Sequence, residues 1–327
     1  MTASIYVTRK LPDPIIQKLS AHFHVKMWEE EDAVVPREVL SKEIEEADGL
    51  LCLLTDQIDR EVISKAKNLK VISNLAVGYN NIDIDAASQK GIVVTNTPGV
   101  LTETTADLTF ALLMTAARRV TEASDFLRSG QWGAWSPMQL TGQDIYGATI
   151  GIIGLGRIAE ALVRRAKGFD MRVLYHNRTR KLDKEKELDI EYADLQSLLK
   201  ESDFVCILVP YHPELHHMIG KNEFALMKKE AILVNTARGG LVDEAALFDA
   251  LKQNQILAAG LDVFEEEPVP LDHPLLTLPN VVTLPHIGSA SVNTRLKMAS
   301  LAAENVTNVL HGKEPITPVN KKEKSSI

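Results

Sequence analysis

Thr149-Ile150-Gly151-Ile152-Ile153-Gly154-Leu155-Gly156-Arg157-Ile158-Ala159 is the stretch on which the fold turns. Its first five residues form a short apolar, β-branched run that reads as a buried strand. The rest has the form G-x-G-x-x-A and opens a segment with helical periodicity. That pattern is weak alone and becomes specific when a strand precedes it and a helix follows. Gly154 permits the tight turn, Gly156 lets the backbone approach a pyrophosphate, and the small Ala159 lets helix and strand pack closely. The helix start adds amide hydrogens and a partial positive charge. Leu155, Arg157 and Ile158 belong to the same cofactor-binding turn. A tight turn with no ligand is the plainer alternative.

Working outward, further strand-like runs follow at Arg172 to Tyr175, Phe204 to Val209, Ile232 to Asn235, Leu257 to Val263 and Val281 to Leu284. Their continuous apolar character suits parallel strands covered on both faces. They imply a doubly wound α/β domain over residues 100–287. Upstream, Ile5 to Thr8, Val25 to Trp28, Leu50 to Leu54, Lys70 to Ser73 and Ile92 to Val94 alternate with helical candidates such as Pro14 to Ser20 and Pro36 to Ala47. They predict a second, smaller open α/β sheet in residues 1–99. Ser291 to Leu310 has helical periodicity and is expected to pack back on this first domain, which then comprises 1–99 and 288–327. Thr317 to Ile327 offers little further core, and Lys321 to Lys324 reads as a frayed charged end.

The strand Arg172 to Tyr175 runs into His176-Asn177-Arg178-Thr179-Arg180. A site specific for NAD expects a carboxylate here, to accept from the ribose 2′-hydroxyl. Asn177 is neutral, and Arg178, Thr179 and Arg180 would attract a 2′-phosphate. NADP(H) is therefore the expected cofactor, with NAD(H) as the alternative; a solvated surface turn would explain the arginines without a ligand.

Composition narrows the partners. The chain has 327 residues, 45% hydrophobic and 24% charged, the balance of a globular protein long enough for two domains. The net charge of −8 argues against nucleic acid but leaves room for local arginines that bind a small anion. No apolar run approaches the ~20 residues of a membrane helix. Met1 to Lys10 carries no basic segment followed by an apolar one, so no signal peptide is read there. Cys52 and Cys206 each sit inside an apolar run and read as buried thiols rather than a disulfide, which fits a cytoplasmic protein.

Arg238, Glu267 and His286 each follow a predicted strand of the second domain. In a parallel sheet such positions project from the carboxyl edge, where the glycine-rich turn also lies. An arginine can hold a carboxylate and polarise an adjacent carbonyl. A histidine can give a proton to the oxygen that becomes a hydroxyl, and a glutamate can orient its ring and favour the protonated form. Each residue alone is more simply a solvated or incidental polar group. The three together, beside a dinucleotide turn, read as a site for hydride transfer to a 2-keto acid.

The segments Val234-Asn235-Thr236-Ala237-Arg238-Gly239-Gly240, Gly260-Leu261-Asp262-Val263-Phe264-Glu265-Glu266-Glu267-Pro268 and Pro285-His286-Ile287-Gly288-Ser289-Ala290 make the chain resemble the D-2-hydroxyacid dehydrogenase family. The resemblance covers almost the whole chain and is closest to the glyoxylate/hydroxypyruvate reductase and 2-ketogluconate reductase branch. It implies a Rossmann dinucleotide-binding domain plus a flavodoxin-like substrate domain. It further implies that Arg238 binds substrate, that Glu267 supports His286 as the acid/base, and that Asp262 faces the nicotinamide side. Val209, Pro210, Thr236, Ala237 and Gly288 complete the implied cofactor set. In Leu75-Ala76-Val77-Gly78-Tyr79-Asn80-Asn81-Ile82-Asp83, the resemblance implies amides near Val77 and Gly78 that bind the substrate carboxylate; an ordinary turn is the alternative. The sequence departs from the family pattern at Ala159, in place of the commonest third glycine, and at His212 and Leu215, where relatives often carry threonines.

Leu101 to Val120 reads as one apolar helix, followed by Phe126 to Trp135 with two tryptophans in a glycine-rich loop. By resemblance this is an arm that clasps a second subunit, giving a homodimer in which Trp135 reaches the partner's substrate. Burial within one subunit is the alternative. His212, His216 and His217 lack recognised metal-ligand spacing and read as a surface loop. Other readings stay open: a phosphoglycerate or D-lactate dehydrogenase, or a dinucleotide-sensing corepressor-type protein. A regulatory phosphoglycerate form is expected to carry more chain after Leu310, and a corepressor extra tail segments.

Overall fold

The computed structural model describes residues 2–320; the charged end Lys321 to Lys324 lies outside them. The chain divides into two compact units, Met1–Leu101 with Ala290–Ile327, and Thr102–Ser289.

The first unit holds five parallel strands: β1 (Ser4–Val7), β2 (His24–Met27), β3 (Gly49–Cys52), β4 (Val71–Asn74) and β5 (Val93–Thr95), in the order β2-β1-β3-β4-β5. This is the flavodoxin-like order. Leu50, Cys52, Ile72 and Val94 are fully buried in its core, as continuous apolar strands require. The helix Val292–Leu310 packs on β3 and β4, and the Ser73 hydroxyl donates to the Ala302 carbonyl at 3.0 Å. None of residues 317–320 is buried, in keeping with little further core there, but they are tied to the sheet by hydrogen bonds. The Val319 amide donates to Val94, and Asn320 bonds both the Val94 amide (2.7 Å) and the Ile92 carbonyl (2.8 Å). These residues satisfy the open edge of β5, a need that composition alone does not reveal.

The second unit holds seven parallel strands: β6 (Thr149–Ile153), β7 (Arg172–His176), β8 (Glu191–Tyr192), β9 (Phe204–Ile207), β10 (Ile232–Asn235), β11 (Ala258–Leu261) and β12 (Val281–Thr283). Their order is β12-β11-β10-β9-β6-β7-β8. Counted from β6, this is 3-2-1-4-5-6 with one more strand, the Rossmann order, and the strand order reverses between β6 and β9. Apolar clusters cover both faces. β8 was not foreseen: two residues, one of them charged, carry no strand pattern.

The helix expected from Leu101 to Val120 runs over Thr102–Ala117, and a second helix that was not foreseen, Val120–Arg128, follows it. The break falls at Arg119, whose backbone is left-handed (φ 53°) and whose guanidinium holds Glu122 at 2.6 and 2.7 Å. Phe126 to Arg128 therefore end a helix instead of opening the loop. Among the described residues no helix is long and apolar enough to cross a membrane. Cys52 and Cys206 are buried and unpaired.

Candidate active site

The turn after β6 is built as its residues require. Gly154 has φ +96°, and a Cβ there would stand 2.7 Å from the Val209 amide nitrogen. Only glycine combines that backbone with that approach, so Leu208 and Val209, just beyond β9, lie against the turn. Gly156 caps the helix Arg157–Lys167, and Ala159 is fully buried where that helix meets the sheet. A Cβ on Gly156 would meet nothing within 4 Å. The space over the helix N-terminus is thus open to a phosphate.

At the end of β7, Asn177 turns its side chain back to the Thr179 carbonyl (2.9 Å). Arg180 grips Glu185 with two bonds of 2.7 Å, and the Tyr175 hydroxyl donates to the same carboxylate. Arg180 and Tyr175 hold the Glu185 carboxyl down to about 2. The charge of Arg180 is therefore already answered within the loop, while Arg178 is exposed. Sequence reading missed Lys181, whose Nζ donates to the Leu155 carbonyl at 2.5 Å, between the two glycines of the turn. A lysine directly after the Arg178-Thr179-Arg180 run was the available signal.

The acid/base candidates meet at the carboxyl edge of β10, β11 and β12. Glu267 Oε2 and His286 Nδ1 are 2.6 Å apart, and Glu267 Oε1 accepts the Phe264 amide at 3.1 Å. Burial pushes the Glu267 carboxyl up, but His286, the Phe264 amide and Arg238 outweigh it and hold the group below the ordinary carboxylate range. With Nδ1 engaged, Nε2 is the ring nitrogen left for proton exchange. His286 itself has φ 54°; its amide donates to the Asp262 carbonyl (2.9 Å), and the Ile287 amide donates to Asp262 Oδ1 (2.7 Å). Asp262 thus holds the histidine loop. Its other oxygen, Oδ2, is buried with no full hydrogen bond among the described residues, 3.2 Å from where a Cβ on Gly288 would stand and near enough to the Gly288 amide to be drawn down by it. Burial raises the Asp262 carboxyl. An acceptor with capacity to spare here fits a cofactor that brings its own amide donor, as a nicotinamide carboxamide does.

Arg238 is half-buried, and burial pulls its guanidinium down while Glu267 opposes the shift. Its loop is tied by Asn235, which accepts from the Ala237 amide (3.0 Å) and donates to the Arg238 carbonyl (2.8 Å). The next residue, Gly239, lies so close to Phe264 that a Cβ would fall 1.8 Å from its carbonyl carbon. That approach brings the Arg238 and Glu267 loops together. Thr236 shares a 2.7 Å bond with Thr109 on the helix Thr102–Ala117, a second residue that sequence reading missed.

Comparison with known proteins decides the family. Residues 110–288 match the family described as D-isomer specific 2-hydroxyacid dehydrogenase, NAD binding domain. A glyoxylate reductase of Korarchaeum cryptofilum is 51% identical over 98% of this chain and 96% of its own. The crystal structure of a Thermus thermophilus protein has a TM-score of 0.91 at 46% identity, over 97% of this chain and 100% of that one. An NADPH-dependent glyoxylate/hydroxypyruvate reductase of Sinorhizobium meliloti, in complex with NADP and malonate, has a TM-score of 0.86 at 32% identity, over 98% of each chain.

The chain belongs to the D-isomer specific 2-hydroxyacid dehydrogenases. It is an oxidoreductase that acts between a 2-keto acid and NAD(P)H.

In the first unit of this dehydrogenase, Val77 and Gly78 lie in the loop after β4. The Ala76 carbonyl accepts from the Thr97 amide, Val77 from the Asn96 side chain and Gly78 from the Asn74 side chain, each at 2.8 Å. A trans peptide sets its N–H opposite its C=O. The amides of Val77, Gly78 and Tyr79 therefore point away from these anchors, and none meets an acceptor among the described residues. Trp135 is 77% exposed, beside a shallow hollow lined by Phe126, Leu127 and Trp132. His216 and His217 stack at 3.8 Å, and the His217 ring bonds Glu265. No group of three or more candidate metal ligands gathers among the described residues.

Proposed function

We propose that this dehydrogenase reduces glyoxylate or hydroxypyruvate, with 2-ketogluconate as a larger candidate, to the D-2-hydroxy acid. NADPH is the favoured donor over NADH. The observation that carries the reading is the 2.6 Å His286–Glu267 pair, with Arg238 on the neighbouring strand end. The names of the relatives support the choice of keto acid.

Gly154, Leu155, Gly156, Arg157 and Ile158 hold the pyrophosphate, and Asn177 to Lys181 the adenosine ribose. Val209, Pro210, Thr236, Ala237, Asp262 and Gly288 line the rest of the dinucleotide site. The bound cofactor supplies the hydride that ends on C2. Arg238 clamps the substrate carboxylate and polarises the neighbouring carbonyl. Protonated His286 gives its Nε2 proton to the carbonyl oxygen, and Glu267 stabilises the imidazolium until then. One keto acid, one reduced cofactor and one proton yield one hydroxy acid and one oxidised cofactor. Within the first unit, the outward amides of Val77 and Gly78 suit a small anion such as a carboxylate.

We further propose a homodimer. The helix Val120–Arg128 buries none of its residues, and Leu127, Trp132, Trp135 and Met138 are exposed beside it. Such a row of large apolar groups suits an interface, and Trp135 is assigned to the partner's substrate. The two buried, unpaired thiols support a cytoplasmic setting.

The test is loss of absorbance at the reduced-nicotinamide band, with each of the three keto acids and each cofactor. Turnover that favours NADPH with glyoxylate or hydroxypyruvate supports the reading. No turnover, in protein that still binds dinucleotide, removes these substrates. Sedimentation as a monomer at micromolar concentration removes the dimer.

A further inference from the structure

A second histidine–carboxylate pair stands behind the first. Glu244 opens the helix Glu244–Lys252, and its Oε1 accepts the Glu265 amide at 2.9 Å. Its Oε2 meets His273 Nε2 at 3.1 Å, with both side chains largely buried. His273 Nδ1 accepts the Leu275 amide at 3.4 Å, and the ring stands edge-on to Phe264. The partner of this pair, Glu265, is two residues from Glu267. Its own carboxylate bonds the His217 ring.

We propose that Glu244 and His273 are positioning residues that fix the loop 264–267 and so keep Glu267 on His286. Glu267 reaches His286 through a flexible side chain, so its backbone must be set for the 2.6 Å contact to persist. The loop leaves β11 with no regular ladder to hold it. Its anchors are the Glu265 amide on Glu244, the Glu265 side chain on His217, the Phe264 amide on Glu267, and the close approach of Gly239. The Glu244 anchor ties the loop to another element, the helix Glu244–Lys252, through a largely buried carboxylate, and a charged acceptor strengthens such a bond. Removing it orphans the Glu265 amide, and an amide without a partner favours rearrangement of the loop. Burial raises the Glu244 carboxyl, and the Glu265 amide and His273 draw it part of the way back.

The inference rests on the reading of His286–Glu267 as the acid/base pair. The charged groups that face Glu244 are His273 and Glu265, and those that face the His286–Glu267 pair are Asp262 and Arg238. Loss of Glu267 from the ring disfavours the imidazolium, so the alkaline limb of keto-acid reduction moves to lower pH.

The experiment is the pH profile of kcat/KM for reduction by the full chain, in Glu267→Gln, Glu244→Ala, Glu244→Gln and His273→Ala. Glu244→Ala is expected to move the limb in the same direction as Glu267→Gln and to lower kcat about tenfold, with the dinucleotide KM unchanged. Glu244→Gln keeps an acceptor for the Glu265 amide and restores most of the loss. His273→Ala gives a smaller shift of the same sign and carries the test if Glu244→Ala does not fold. A limb that moves in Glu267→Gln but stays put in the Glu244 and His273 variants, whatever their melting temperatures, overturns the proposal. A limb unmoved by Glu267→Gln overturns the acid/base reading, and this proposal falls with it.

Discussion

Glu267 Oε2 and His286 Nδ1 stand 2.6 Å apart across the ends of two adjacent strands. The contact fixes which ring nitrogen exchanges the proton. Reduction takes up one proton and oxidation of the hydroxy acid releases it, so lower pH favours reduction and higher pH oxidation. His286→Ala is expected to lose about 10²–10⁴-fold in kcat while the dinucleotide still binds. Steady-state kinetics and a fluorescence titration of cofactor binding check this together.

The same pair makes a stability prediction. The Glu267 carboxyl is held below its ordinary value in the folded protein. Its contribution to stability is present above the unfolded-state value and is lost as pH falls through the lower folded one. Melting temperatures of the wild type should fall below about pH 4, and Glu267→Gln should fall by less, since carboxylates such as Glu185 that are also held low share in the loss.

Cofactor preference should follow the cations whose charge is not already answered. Arg180 is committed to Glu185, whereas Lys181 touches the glycine-rich turn and Arg178 is exposed. Arg178→Ala and Lys181→Met should each raise the NADPH KM about tenfold, the loss of one charge-assisted bond, and change the NADH value less. Arg180→Ala should lower the melting temperature more than it alters the KM ratio. Equal effects of all three on both cofactors would remove this division.

Gly239 tolerates no side chain. A Cβ would fall 1.8 Å from the Phe264 carbonyl carbon, which is backbone and cannot turn aside. Gly239→Ala must part the Arg238 and Glu267 loops. It should cost about 1–3 kcal/mol of stability, and kcat/KM should fall with it; denaturant unfolding and kinetics on one preparation check both.

Burial pushes the Cys206 thiol up to about 12. A thiol that stays protonated inside β9 is a poor nucleophile. Iodoacetamide should leave Cys206 unlabelled in the native protein and label it rapidly in denaturant, as read by mass spectrometry.

The features legible in the sequence are those whose causes are local. An apolar run followed by Gly154, Gly156 and Ala159 can form little else than strand, turn and helix, because each residue meets a requirement within a few positions of itself. Arg238, Glu267 and His286 could be placed at one sheet edge because parallel strands all end on the same side. β8 escaped because Glu191–Tyr192 is held by pairing with β7 rather than by its own composition.

What the sequence by itself determined is the architecture, the cofactor turn and the residue types of the site. The tertiary structure alone decided the pairings. Arg180 pairs with Glu185, Lys181 reaches back to Leu155, and Glu244 holds Glu265 from 21 residues away. A charged side chain bonds whichever partner the packed backbone brings within about 3 Å, and that distance exists only once the strands and helices have been laid side by side.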